Sequence, residues 1–471
     1  MKSKFNIIKI PLILINIILS IYIVISVNKL NVIPTKYYIL GIILLFLINL
    51  LAVILLVLKN IVPKILGVML SIIFILVSII GLKYINRTNE FLDTSFNNNA
   101  VEISTYNLIV LKTSKYTNIN DIENLKLGYL NNSKETLTKL KDTITTENIE
   151  YEDIFDLYDD LINKKISSIL IDESYLDVIK DERKDIDNKI KVIYSFKEET
   201  IIENKNNKED KIVRPINIYI SGSDSRSNNI QNKSRSDVNM IVSINPNTNE
   251  ILLTSIPRDY YVQVHGQTGL KDKLTHSGIY GLDVSSSTIE DLFNIKIDYS
   301  IKLGFNAVVE VVDLVNGIDI YSDRTFNSYH IKGWIVKEGM NHFNGKQALA
   351  YSRERYAYPT GDRHRIQNQQ QVLEAVLKRI LSDKSILLKY EDLLSSLGNL
   401  YRTDIPKEII TAYVKEQLEN GDKWTFKTQW VNGKGASLNT HTSPKYRRYV
   451  MIPNEEDVKN ASEKIKNIIN D

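Results

Sequence analysis

Arg235-Ser-Asp-Val-Asn-Met-Ile-Val-Ser-Ile-Asn-Pro-Asn-Thr-Asn-Glu-Ile-Leu-Leu-Thr-Ser-Ile-Pro-Arg-Asp259 reads as a β-hairpin with charged residues at its open end. Residues 238–244 and 251–256 are strand-like, and Pro246-Asn-Thr-Asn249 between them is turn chemistry. A turn centred between Asn247 and Thr248 sets Asp237 across from Arg258. Upstream, Ile216-Asn-Ile-Tyr-Ile-Ser221 is a strand that stops at Gly222, so Asp224 and Arg226 occupy the loop after it. If this strand runs parallel to 251–256, Asp224 reaches the same sheet edge, where ligands of α/β sheets gather.

Arginine usage points to the same place. Fifteen arginines stand against 44 lysines, and ten of the fifteen fall between Arg214 and Arg379. They come grouped with acids: Arg235-Ser-Asp237, Pro-Arg258-Asp259, Ser-Arg353-Glu-Arg355 and Asp362-Arg-His-Arg365. Arginine offers a planar, permanently charged fork that matches phosphate oxygens in pairs. Interleaved aspartates suit a hard divalent cation such as Mg²⁺. Residues 362–381 have helix composition with Asp362 as the N-cap, and Asp362, Arg365 and Gln369 share a face. Alternation through Tyr351-Ser-Arg-Glu-Arg-Tyr356 aims Arg353 and Arg355 to one side if that piece is extended. Taken singly, each group is an ordinary ion-paired turn, and Lys273 with His276 an ordinary polar loop. Their joint occurrence in one domain argues for a polyanionic phosphate, a pyrophosphate with a metal.

The N-terminal 83 residues are different in kind. Residues 10–27, 37–58 and 65–82 carry no charge, and each is long enough to cross a bilayer as a helix. Lys2, Lys4 and Lys9 precede the first, and Lys59 and Lys64 separate the second and third, which favours a cytoplasmic N-terminus and an extracellular remainder. The anchor takes eight of the 59 basic residues and no acid, leaving 51 basic against 56 acidic outside it. That balance argues against nonspecific nucleic-acid binding. With no cysteine and six scattered histidines, a disulfide framework, a thiol nucleophile and a Cys-ligated zinc are excluded. Residues 100–197 alternate strands (106–112, 168–172, 191–194) with helices (134–144, 154–164), which predicts a small α/β accessory domain, read as a spacer or interaction module. Residues 198–213 are a charged linker, and 214–471 form the Arg-rich α/β domain, with its core at 216–381.

In order, Ser-Gly-Ser-Asp224, Arg235-Ser-Asp237, Ser-Ile-Pro-Arg258-Asp259, Asp272-Lys273-Leu-Thr-His276, the 311–317 segment, Gly345-Lys-Gln-Ala-Leu-Ala-Tyr-Ser-Arg353-Glu-Arg355 and Asp362-x-x-Arg365-x-x-x-Gln369 resemble the LytR-CpsA-Psr family of cell-wall enzymes. Three membrane helices before an accessory domain resemble its capsule-associated subgroup. Asn239, where the family usually has Thr, is a departure. The resemblance implies an α/β/α catalytic domain outside the membrane. Its implied activity is a glycopolymer phosphotransferase that moves a capsular or teichoic-acid-like polymer from a polyprenyl-pyrophosphate carrier to peptidoglycan. Carried over by position, Asp224 and Asp237 would hold Mg²⁺ or Mn²⁺, and Arg235, Arg258, Lys273, Arg353, Arg355, Arg365 and Gln369 would hold the pyrophosphate. Arg258, Asp259, Asp362 and Arg365 would surround the reacting centre. A non-catalytic lipid-linked glycan sensor, scaffold or regulator and a polyprenyl-pyrophosphate hydrolase are the competing readings.

Overall fold

A computed structural model describes residues 2–97, 101–141, 143–201, 213–224, 230–359, 361–387, 390–421 and 423–470. Helices α1 (Lys2–Leu30), α2 (Thr35–Val57) and α3 (Ile61–Asn97) open the chain. All three are long and apolar enough to cross a membrane. Polar side chains inside the helix bundle pair with one another: Asn16 donates to Ser71 Oγ at 3.1 Å and Asn49 to Ser20 Oγ at 2.8 Å. In an apolar medium such groups have few other partners. The α1–α2 connection rests on the C-terminal half of the chain. Leu30 and Val32 pack with Leu387, Val414 and Leu418, and the Thr35 N–H donates to Glu419 Oε1 at 2.6 Å.

The accessory domain holds β1 (Val101–Leu111), β2 (Lys126–Leu130), α4 (Lys134–Lys141), β3 (Glu147–Tyr151), α5 (Ile154–Ile162), β4 (Ser168–Asp172), α6 (Glu173–Glu182) and β5 (Ile190–Ile201). Its sheet runs β3-β2-β4-β1-β5. Asp172 ends β4 and caps α6, its Oδ1 accepting from Ser174 N at 2.8 Å, so strand and helix meet without a loop.

The main domain is an α/β/α sandwich. Its six-stranded sheet runs β10-β9-β6-β7-β8-β11, from β6 (Ile216–Ser223), β7 (Val238–Asn245), β8 (Glu250–Ile256), β9 (Tyr299–Gly304), β10 (Tyr401–Thr403) and β11 (Thr425–Trp430). Alternation along the strands builds its two faces. Tyr219, Ile241 and Leu252 pack under α7 (Leu282–Phe293) and the C-terminal helix Glu455–Asn470 through Ile289, Phe293 and Ile465. Met240, Val242 and Leu253 face Leu373, Leu377 and Leu381 of the helix Asp362–Ser382. The hairpin register is the expected one, with Asn239 opposite Ile256 and Asn245 opposite Glu250. Because β7 is antiparallel to both neighbours, β6 and β8 are parallel to each other. The end of β6, the start of β7 and the end of β8 therefore share one edge.

Two local expectations are corrected. Tyr351-Ser-Arg is not extended: Arg353 is the last residue of α9 (Gly345–Arg353), which follows α8 (Phe305–Leu314). Asn344 and Gln347 close a reciprocal capping box at its start, which commits the segment to a helix. The N-cap of α10 (Asp362–Ser382) is Gly361, at φ +52°, so Asp362 is its first helical residue. The Asp362 side chain and Arg226 lie outside the described residues, as does most of the 198–213 linker.

Candidate active site

At the shared edge, Asp237 lies at the head of β7, its N–H bonded to Gly222 O at 2.7 Å. Gly222 is required there, since a Cβ would stand 2.7 Å from Cβ of Val238. Arg258 Nη1 donates to Asp237 Oδ1 at 2.6 Å, the cross-strand pairing expected from the turn. Arg235 reaches the same carboxylate from the other side, with Nη2 3.3 Å from Asp237 Oδ2 and 3.5 Å from Asp224 Oδ2. Asp259 bridges Arg258 and Lys273, at 3.9 and 3.8 Å.

The loop that carries Arg235 is built for its place. Lys302 of β9, fully buried, donates to the carbonyls of Asn232 and Ser234 at 2.6 and 2.8 Å. Asn239 accepts from Tyr219 Oη at 2.6 Å and donates to Ser236 O at 2.9 Å. Below Lys273, the buried Asp272 accepts from Thr442 N at 2.8 Å and pairs with His276 Nδ1 at 2.7 Å. That pair ties the Lys273 segment to the hairpin β12 (Gly433–Thr440)–β13 (Ser443–Pro453).

Charge follows geometry. Burial would raise the Asp237 carboxyl, but the charges of Arg235 and Arg258, with Arg258's hydrogen bond and the field of Arg365, bring it down to about 2. Asp224 is raised instead, by desolvation and then by the negative charge of Asp237. Two carboxylates of which one is held ionised and the other is pushed toward its neutral form are a donor set that a divalent cation would relieve. The Nε–H groups of Arg235 and Arg258 are buried and find no hydrogen-bond acceptor among the described residues. A phosphate oxygen would meet that need.

The structure thus brings together Asp224, Arg235, Asp237, Arg258, Asp259 and Lys273, with Arg365 near enough to act on Asp237. Arg365 and Gln369 are four apart on α10, both partly buried. Arg353 and Arg355 have aromatic contacts. Arg353 lies over the Phe305 ring at 4.8 Å, and Arg355 lies over Tyr356 at 4.9 Å and donates to its hydroxyl at 2.8 Å. Three participants carried no local signal in the sequence: Asp181 and Glu182 at the end of α6, and Arg448 on β13. Asp181 pairs with Arg235 Nη1, and Glu182 lies 3.7 Å from Lys273 Nζ and 3.1 Å from Arg448 Nη1.

The LytR_cpsA_psr family model matches residues 180–466. A TagU from Bacillus anthracis, named polyisoprenyl-teichoic acid–peptidoglycan teichoic acid transferase, is 34% identical over 209 residues, covering 44% of this chain and 66% of that protein. The Enterococcus faecalis protein of the same name is 32% identical over 203 residues, covering 43% of this chain and 64% of its own length. The chain therefore spans just under two thirds of these curated relatives. The crystal structure of B. subtilis TagV aligns at 24% identity and a TM-score of 0.45, over 55% of this chain and 98% of that one. With 180–466, more than half of its length, matched by the family model, this chain belongs to the LytR-CpsA-Psr family.

Proposed function

We propose that this protein transfers a glycopolymer from a polyprenyl-pyrophosphate carrier to peptidoglycan at the outer face of a membrane. The observation that carries this reading is the cluster of Arg235 and Arg258 on Asp237, both with a buried Nε–H that has no hydrogen-bond acceptor among the described residues, beside a carboxylate pair that suits a divalent cation. The relatives from B. anthracis and E. faecalis, named as transferases of polyisoprenyl-linked teichoic acid to peptidoglycan, support the same substrate class. A capsular polymer is the alternative cargo within that class.

The chemistry needed is an in-line displacement. A sugar hydroxyl oxygen of peptidoglycan bonds to the phosphorus that carries the glycan. The bond from that phosphorus to the bridging oxygen breaks, polyprenyl phosphate leaves with the electron pair, and the hydroxyl proton is lost to water. Asp224 and Asp237 would hold Mg²⁺ or Mn²⁺, which supplies charge neutralisation on the phosphate oxygens. Arg258, Arg365 and Lys273 orient the diphosphate, and Arg235 holds the two carboxylates in place. Such a reaction rests on positioning and electrostatics and needs no covalent protein nucleophile.

Orientation belongs to this reading too. The contact of the α1–α2 connection with the main domain, Thr35 N–H to Glu419, supports putting both on one side of the membrane, opposite the N-terminus if α1 crosses it. Lysine placement favours the outer side for the main domain. The test is release of polyprenyl monophosphate when the full chain meets a polyprenyl-pyrophosphate glycan, Mg²⁺ and peptidoglycan. Absence of release with any divalent ion would refute a transferase, and release without peptidoglycan would favour hydrolysis.

A further inference from the structure

The accessory domain is docked on the site, not hung beside it. Ile279 of the main domain sits 2% exposed in the accessory core, among Ile154, Phe155 and Leu176. Arg448 stacks over Phe155 at 4.0 Å, and Tyr175 meets Tyr280 edge-on at 6.5 Å. Gln231 donates to Thr105 and Glu173 at 3.0 and 2.9 Å. An interface with an apolar centre and a hydrogen-bonded rim holds its partners in one arrangement.

That arrangement aims the end of α6 at the cation cluster. Asp181 takes Nη1 of Arg235, whose Nη2 serves Asp224 and Asp237. Glu182 lies between Lys273 and Arg448. A chain of alternating charge results, running Arg448, Glu182, Lys273, Asp259, Arg258, Asp237, Arg235 and then Asp181 and Asp224. Four cations face five carboxylates, and two of the five come from the accessory domain. Among the described residues, Asp181 is the ion-pair partner of Arg235 Nη1, and without Glu182 the Lys273 ammonium keeps Asp259 alone. Arg235 is 5% exposed, so its orientation is decided by the carboxylates it meets, Asp237 from inside and Asp181 and Asp224 from the solvent side.

We propose that Asp181 and Glu182 are positioning residues of the active site, supplied by the accessory domain: Asp181 fixes Arg235 against Asp224 and Asp237, and Glu182 fixes Lys273 and Arg448. The inference rests on the reading of the site as one for a pyrophosphate. Both residues act through the cations they hold, and neither needs to touch substrate. The accessory domain is then part of the machinery and not a spacer.

The test uses the full chain in detergent, titrated calorimetrically with inorganic pyrophosphate and Mg²⁺. Asp181→Asn is expected to weaken binding about 10- to 100-fold, the usual cost of losing a group that orients a ligand-binding residue. Asp181→Glu should restore most of it, and Glu182→Gln should show a smaller loss. Gln231→Ala, which cuts interface bonds without touching a site cation, should bind as wild type. Unchanged or tighter binding by Asp181→Asn, with circular dichroism and melting intact, would overturn the proposal; tighter binding would make Asp181 a plug. If the wild-type protein itself does not bind pyrophosphate, the reading of the site fails separately. The positioning claim is then decided by the Arg235 Nε–H resonance, assigned through Arg235→Lys. It must sharpen with Asp181 present and broaden in Asp181→Asn, and no change between the two would overturn the claim.

Discussion

Asp237 receives two guanidinium groups, Arg258 at 2.6 Å and Arg235 at 3.3 Å, and is almost wholly buried. Removing one cation of such a group leaves charge unpaired in a low-dielectric site. Under the transferase reading, Arg258→Ala is therefore expected to lower turnover about 10²-fold or more, and Arg365→Ala to do likewise, measured as polyprenyl phosphate released per unit time. Near-normal rates in both would remove their assigned roles. A pH effect belongs to Asp177, one turn before Asp181. Its carboxyl is pushed up to about 6, by burial first, with Arg235 opposing and the charge of Asp224 adding to the rise. A carboxyl raised in the folded state favours folding fully below its unfolded pKa of about 3.9, and that benefit is lost as pH climbs through 6. Asp177→Asn should thus melt above wild type at pH 7.5, by on the order of 2 kcal/mol, and match it near pH 4. A constant difference across that range would show that Asp177 does not titrate there.

Strand and turn placement shows how far local pattern carries. Asp237 opposite Arg258 was legible because the Pro-Asn-Thr-Asn turn sets Asn245 opposite Glu250, and that register runs unbroken to Asn239 opposite Ile256 at the open end. The 351–356 segment misled because its alternating charges look extended, while the capping pair Asn344 and Gln347 decides for helix several residues earlier. Asp181 and Glu182 could not be read at all, since nothing local links a helix end to an arginine beyond a linker. Gly278 shows the same non-local dependence. A Cβ there would lie 2.3 Å from Ser234 O and 2.8 Å from Ser236 N, the two residues that flank Arg235. Gly278→Ala should displace that strand of backbone, costing about 1–3 kcal/mol in thermal or chemical unfolding. It should also weaken pyrophosphate binding while leaving far-ultraviolet circular dichroism intact. Retained affinity would mean that the Arg235 loop tolerates the shift.

At the scale of the whole chain, large exposed apolar side chains concentrate in α1–α3, while the other domains have closed cores. A fragment beginning at residue 101 is expected to be monodisperse without detergent, with the α/β dichroism of the parent; aggregation on gel filtration would count against self-sufficient cores. The seat of Leu30, Val32 and Thr35 on Leu387, Val414, Leu418 and Glu419 gives the main domain a second tie to the apolar helices, besides the covalent one after α3. A body tethered at two points cannot swing freely on a stalk, so the sheet edge that carries Asp237 is held at one distance from those helices. Under the transferase reading, the enzyme would then behave as a stationary post visited by drifting lipid cargo. Its speed would track how many carriers crowd each patch of bilayer and would be nearly indifferent to the volume of fluid above.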